Sequence, residues 1–199
     1  SSAGENTIIV PSGANAGVVI LTDQDRAALT ESSVLLMQLE LPLSVVQEAA
    51  TVAHSVGTVV MLNAAPASEL PKELLRTLDY LIVNEHEACE LGGSDDVTTA
   101  SLALAALVPR VIVTLGGAGS ALYDAGAELV KISALAVDPV DTTGAGDTFC
   151  GAFAASIAEG RGFEEAARFA TAAAALSVQA VGAVPSIPAR SRIDALLAG

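Results

Sequence analysis

Asp147 is the residue of this chain most suggestive of acid–base chemistry, because of what precedes it in Val140-Asp141-Thr142-Thr143-Gly144-Ala145-Gly146-Asp147-Thr148-Phe149. Glycines at 144 and 146 let the backbone turn tightly and come close to a ligand. A long Ala-rich helix is expected to begin near Gly144, after a strand over Leu129–Val137. The first amides of a helix have no internal partner and sit at the positive end of its dipole, which makes an anion site. A carboxylate one turn inside that site would repel a phosphate merely bound there. Asp147 makes chemical sense if it accepts a proton from an attacking hydroxyl while the amides of Gly144, Ala145 and Gly146 hold a transferring phosphoryl group. The same residues also fit an ordinary helix start, where a first-turn carboxylate contributes about 0.3–1 kcal/mol.

Other polar residues of interest share one kind of position, directly after an apolar run of strand length: Glu40, Asn63, Asn84, Thr114 and Asp141. Asn84 and Glu87 have the spacing of a capping box. In a functional reading Asn84 lies near nucleotide phosphates and Glu87 holds Mg²⁺ through water, since Mg²⁺ keeps much of its hydration shell. Thr114-Leu115-Gly116-Gly117-Ala118-Gly119 could suggest a dinucleotide fingerprint. It fails as one, because Leu122 stands where the third glycine belongs and a hairpin follows instead of a helix. Asp141 and Thr143 are good turn and cap residues. His86 and Cys89, three apart on a helix, do not make a metal site by themselves. Cys150 reads as a small packed apolar residue.

The elements that must carry these residues alternate. Strands are expected at Thr7–Val10, Val34–Leu39, Thr58–Leu62, Tyr80–Val83 and Val111–Leu115, with a hairpin of Ala121–Asp124 and Leu129–Ile132 turning at Ala125-Gly126. Helices are expected after Thr22, over Ser44–Val56, Pro71–Leu78, Glu85–Leu91, Thr98–Leu107, 144–158, 164–179 and 191–197, with a Gly/Pro loop at 182–188. This pattern predicts an α/β fold with a mostly parallel sheet and right-handed crossovers placing helices on both faces. Ligands of such sheets sit beyond the carboxyl ends of the strands, where the polar residues named above fall.

Composition narrows the function. The 199 residues are 52% hydrophobic and 16% charged, and one domain with a sizeable core is expected. A net charge of −14 and the absence of Trp argue against nucleic-acid and anionic-membrane partners. Two cysteines give no disulfide framework and suggest a reduced, cytoplasmic setting. No apolar run reaches transmembrane length.

The ten-residue stretch around Asp147 resembles the D-T-x-G-A-G-D-x-F signature of the ribokinase-like (PfkB) carbohydrate kinases at every fixed position. Asn84 and Glu87 match that family's N-x-x-E motif, and Thr114-Leu115-Gly116 with Gly119 its T-L-G-x-x-G. Leu36-Met37-Gln38-Leu39-Glu40-Leu41-Pro42 matches L-x-Q-L-E-x-P, and Asn63-Ala64-Ala65-Pro66-Ala67 resembles L-N-P-A-P-A with Ala64 for the first proline. Gly13-Ala14-Asn15-Ala16 also agrees with ribokinases. The resemblance implies a three-layer αβα kinase that moves the γ-phosphate of MgATP to the 5-hydroxyl of ribose. It implies Asp147 as base, also touching the sugar with Glu40, and nucleotide contacts from Asn84, Thr114 to Gly119, Gly146 and, at adenine, Thr171. Further implied are Mg²⁺ through Glu87 and an activating K⁺ held by Asp141, Thr143, Ser177, Ala180, Gly182 and Ser186. The family's initial strands, lid and G-G-K-G-A-N sugar motif have no counterpart here. The 199 residues are thus expected to be one α/β domain, the nucleotide-binding and catalytic portion of an enzyme that is a homodimer when complete. A fructokinase-like kinase and a catalytically silent nucleotide-binding fragment are the alternatives.

Overall fold

The computed structural model describes residues 13–198. The strand expected at Thr7–Val10 lies outside them. The described residues form a six-stranded sheet in the order β1-β2-β3-β4-β5-β6: Val34–Met37, Val59–Asn63, Tyr80–Asn84, Arg110–Thr114, Ser120–Asp124 and Ala127–Ile132. Neighbours from β1 to β4 are parallel, and β4-β5-β6 are antiparallel. The helices are α1 Asp23–Glu31, α2 Leu43–Ser55, α3 Lys72–Leu75, α4 Glu85–Gly92, α5 Val97–Ala105, α6 Ala145–Ala158, α7 Phe163–Ser177, α8 Ala183–Ser186 and α9 Arg190–Ala198. Residues Gly13–Gly17 form a short 3₁₀ turn. The hairpin turns at Ala125 and Gly126, both at positive φ, as expected.

Helices cover both faces, but not by alternating crossovers. Each parallel strand lies beside its predecessor, so connections of one hand all return over the same face. Side chains alternate across a strand, and the two faces bury different partners. Leu62, Leu81, Val83, Val111 and Val113 pack with Val46, Ala50 and Ala53 of α2, Leu74 of α3, Ala88 of α4 and Leu104 of α5. Met61, Ile82, Ile112 and Leu122 face the other way, onto Phe149 and Phe153 of α6 and Ala166, Ala167 and Ala170 of α7. The C-terminal helices therefore form the second layer. Tyr80 meets Phe153 edge-on, with ring centroids 5.2 Å apart.

The helix expected over Pro71–Leu78 is confined to Lys72–Leu75 and the strand expected over Val34–Leu39 ends at Met37, and two further stretches differ from expectation. The strand expected over Leu129–Val137 ends at Ile132, because its partner β5 begins at Ser120, opposite Ile132, and offers no further pairing. Residues 133–140 continue as irregular chain. The loop expected at 182–188 contains a single helical turn, α8, which opens at Gly182 (φ 89°).

Candidate active site

The start of α6 is built by a glycine in the left-handed region. Gly144 has φ 76° and ψ 7°, and a Cβ there would stand 3.1 Å from the Cβ of Ala183. Both the turn and the packing against α8 call for glycine. The Gly144 carbonyl accepts from the Thr148 amide, closing the first helical turn. Ala145 departs from the expected amide cradle, since its N–H is donated to the Thr142 carbonyl at 3.2 Å. Among the described residues no backbone acceptor is found for the amides of Gly144, Gly146 and Asp147. Asp147's own amide thus takes the place expected of Ala145.

Gly146 is different in kind from Gly144. Its φ is not positive, and a Cβ built on it meets nothing within 4 Å beyond its own turn of chain. The same holds for Gly117. Neither the backbone nor the packing of this chain requires glycine at these two positions, yet both line one cavity of about 400 Å³. That cavity runs between Thr114 at the end of β4, Leu135 and Val137 of the irregular segment, and Thr171 and Ala175 of α7. The apolar residues after Ile132 are accounted for here: they wall a cavity instead of extending the sheet. Gly119 (φ 105°) is a packing glycine, because a Cβ there would fall 1.9 Å from the Ile132 carbonyl oxygen. Leu115 and Ala118 do not line the cavity. The Thr171 hydroxyl donates to Ala167 of its own helix.

On the other side of the α6 start lies a second cavity, of about 250 Å³, lined by Leu36, Met37, Gln38, Asn63, Asp147, Cys150 and Gly151. Asp147 is exposed to it, and its Oδ1 accepts from Gln38 Nε2 at 3.0 Å. Burial pushes the Cys150 thiol up to about 12, and the carboxylates of Asp147 and Glu87 push the same way. Both acids therefore act on one thiol beside this cavity. Glu40 lies two residues beyond Gln38, exposed, and does not line the cavity. Of the residues lining this cavity, Gly151 drew no notice in the sequence, Gln38 entered only as part of a motif, and the buried Asn63 was already among the polar residues of interest. The signal for Gly151 was available, as an unforced glycine in a helix interior.

Asn84 and Glu87 form the expected capping box. The Glu87 amide donates to Asn84 Oδ1 and the Asn84 amide to Glu87 Oε2, each at 2.8 Å. Parallel register sets Asn84 beside Thr114, so this helix start borders the Thr114 end of the larger cavity. Glu87 is only 8% exposed. Burial raises its carboxyl above the usual range, and the Asn84 amide partly offsets this. With Oε2 committed to the Asn84 amide, this carboxylate is an oxygen donor of the kind that a hydrated Mg²⁺ takes.

Asp141 ties two loops together. Its carboxylate accepts from the Thr143 amide at 2.9 Å and from the Gly182 amide at 2.9 Å. The Thr143 hydroxyl, then these amides, hold it down at about 2. The Val178 carbonyl accepts from both Val140 and Asp141, drawing the end of α7 onto the same loop. Ser177 and Ser186 are buried, with hydroxyls donated to Ala174 and Ala183, and Ala180 is exposed. The Asp141 carboxylate, ionised at neutral pH, and the loop ends that it ties together supply oxygen atoms of the kind a hard monovalent cation takes. Among the described residues no group of three or more His, Cys, Asp or Glu side chains could hold a metal, and no helix is long and apolar enough to cross a membrane.

Comparison with known proteins identifies the family. A family model described as pfkB family carbohydrate kinase matches residues 1–190. The ribokinase of Haemophilus influenzae is 41% identical over 197 residues, covering 96% of this chain and 64% of the relative. The ribokinase of Arabidopsis thaliana is 39% identical over 206 residues, covering 98% of this chain and 54% of the relative. A solved structure of the Arabidopsis thaliana ribokinase complexed with ribose and ATP superposes with a TM-score of 0.90 at 39% identity, over 98% of this chain and 66% of that one. The chain thus spans a little over half to about two thirds of the length of the relatives it matches.

Proposed function

This chain belongs to the pfkB family of carbohydrate kinases, and from that premise we propose that it carries the nucleotide-binding and catalytic machinery of an ATP-dependent ribose kinase, folded as one α/β domain. The observation that carries the reading is the position of Asp147 in the first turn of α6, between the two cavities. Gly146 lines one of them, and Asp147 opens into the other. A nucleotide in the larger cavity and a sugar in the smaller would meet at the unpaired amides of Gly146 and Asp147.

The chemistry follows from that placement. Asp147 accepts the proton of the 5-hydroxyl as its oxygen bonds to the γ-phosphorus. The bond from that phosphorus to the bridging oxygen breaks, and ADP leaves. The helix-start amides donate to the phosphoryl oxygens, where negative charge is spread in the transition state. Thr114, Gly116, Gly117 and Thr171 shape the nucleotide side, and Asn84 caps the neighbouring helix toward the phosphates. Asn63 and Gln38 border the acceptor side, with Glu40 on the adjoining loop. Glu87 would hold Mg²⁺ through water, and bound Mg²⁺ supplies charge neutralisation on the phosphates. Asp141 and the carbonyls of the 177–186 loop would hold K⁺, whose charge would steady the loop that leads into the helix-start amides.

The test is ribose-dependent ADP formation by the complete protein, with fructose as the competing acceptor. Asp147→Asn is expected to keep nucleotide binding and to lose about 10²–10⁴-fold in turnover. Turnover near that of the parent would remove Asp147 from the role of base. ATP binding without phosphorylation of either sugar would favour a silent nucleotide-binding fragment.

A further inference from the structure

The hydrogen bond between Gln38 and Asp147 joins residues 109 positions apart, and the reason it forms lies in the pleat of β1. Val34 and Leu36 pack toward the α6–α7 layer, whereas Leu35, Met37 and Leu39 pack toward the crossover helices. Continuing that alternation puts residue 38 on the α6 side, directly past the end of the strand. The backbone is held on both flanks of Gln38. Met37 is buried, and the Leu39 amide donates to the Ala65 carbonyl at 3.0 Å. The Gln38 side chain thus leaves a fixed point and reaches the first turn of α6.

Asp147 has little else to fix it. An acid at the third helical position often bonds back to its N-cap, as Glu87 does to Asn84. No such return bond is found at Gly144, and Gln38 is the one side-chain hydrogen-bond partner of the Asp147 carboxylate among the described residues. An ionised carboxylate only accepts, so the side of the Gln38 amide that faces it is the NH₂. The bond occupies Oδ1 and leaves Oδ2 for a substrate proton.

We propose that Gln38 is a positioning residue for the catalytic base, holding the Asp147 carboxylate so that one oxygen faces the acceptor hydroxyl. This rests on the reading of Asp147 as base. Gln38 touches neither reacting atom in this role. Its contribution is orientation, and small displacements of a reacting group cost rate steeply.

The experiment is a double-mutant cycle in the complete protein with Gln38→Met and Asp147→Asn. Met keeps the length and unbranched shape of Gln while deleting the donor. Gln38→Met is expected to lower kcat about tenfold or more, with KM for ATP and for ribose held within about twofold and an unchanged melting temperature. In the Asp147→Asn background the same change is expected to cost less than about twofold, because there is no base left to orient. Equal losses in both backgrounds would overturn the proposal, as would an unchanged kcat. A rise in ribose KM without a fall in kcat would also overturn it, and would make Gln38 a substrate contact. An Asp147→Asn enzyme that keeps its turnover refutes the base assignment and takes this inference down with it, an outcome distinct from additivity of the two changes.

Discussion

Replacing Gly146 by alanine pits fold stability against function at a single methyl group. The position is the second residue of α6, its φ is not positive, and nothing beyond its own turn of chain lies within 4 Å of the Cβ that alanine would bring. Alanine is the better helix former by about 0.5–1 kcal/mol. In a domain of this size each kcal/mol moves the melting temperature by about 2–4 °C, so a rise of about 1–4 °C is expected. Function should move the opposite way. Gly146 lines the larger cavity, and its amide has no backbone acceptor among the described residues. A methyl group beside that amide keeps a phosphate oxygen from approaching, and a hydrogen bond to a charged group contributes about 1.5–3 kcal/mol. That corresponds to a roughly 10–100-fold loss in ATP affinity or in turnover. Thermal melting, calorimetric titration with ATP and steady-state rates measure the three quantities on one preparation. Gly119→Ala is the control, since its Cβ would collide with backbone at Ile132 and Ala134 and should lower the melting temperature outright. A Gly146→Ala protein that melts lower, or that binds ATP and turns over like its parent, would refute the claim that a ligand explains this glycine.

Two more outcomes follow from the carboxylates. Glu87→Gln keeps the capping box, since Gln serves at that position as well as Glu, and removes a charge that burial disfavours. Its folded carboxyl titrates above the unfolded value of 4.5, so the ionised form subtracts stability as pH rises through that window. Glu87→Gln should therefore melt no lower than the parent at neutral pH yet lose Mg²⁺-dependent rate. Glu87→Ala, which leaves the Asn84 amide without its acceptor, should lose about 1–3 kcal/mol; equal melting of the two variants would contradict this. For Asp141 the sign is reversed. Its folded value of about 2 lies below the unfolded 3.8, so its contribution is complete above that upper value and is lost as pH falls toward 2. Acid unfolding profiles of the parent and Asp141→Asn should converge across that window, and parallel profiles would show that the carboxylate's ties to Thr143 and Gly182 add nothing.

Local signals made much of this protein readable from its residues alone. The capping box at Asn84 and Glu87 and the hairpin turn at Ala125-Gly126 each depend on atoms only a few residues apart. The glycine spacing before Asp147 is likewise a property of one turn of chain, and it was enough to locate the helix start. The uninterrupted apolar runs Val59-Val60-Met61-Leu62 and Val111-Ile112-Val113 suit a sheet buried on both faces, which the structure shows. What such runs could not say was which helix covers which face. That depends on strand order, and four strands laid side by side put every crossover on one side and left the other to α6 and α7. The same holds for the fate of residues 133–139, whose apolar character suits a strand until β5 runs out of partners. The Ala145 amide was assigned to a ligand because the helix start alone predicts a free donor, and only the path of the loop brings the Thr142 carbonyl onto it. Asp141 meeting Gly182 and Gln38 meeting Asp147 are contacts across 41 and 109 residues. No spacing rule spans such distances, because a hydrogen bond between elements needs the register of one and the facing side of the other to be set at once. Sequence alone determined that Asp147 stands in the first turn of a helix opened by glycines; tertiary structure decided which residue, 109 positions away, hydrogen-bonds its carboxylate.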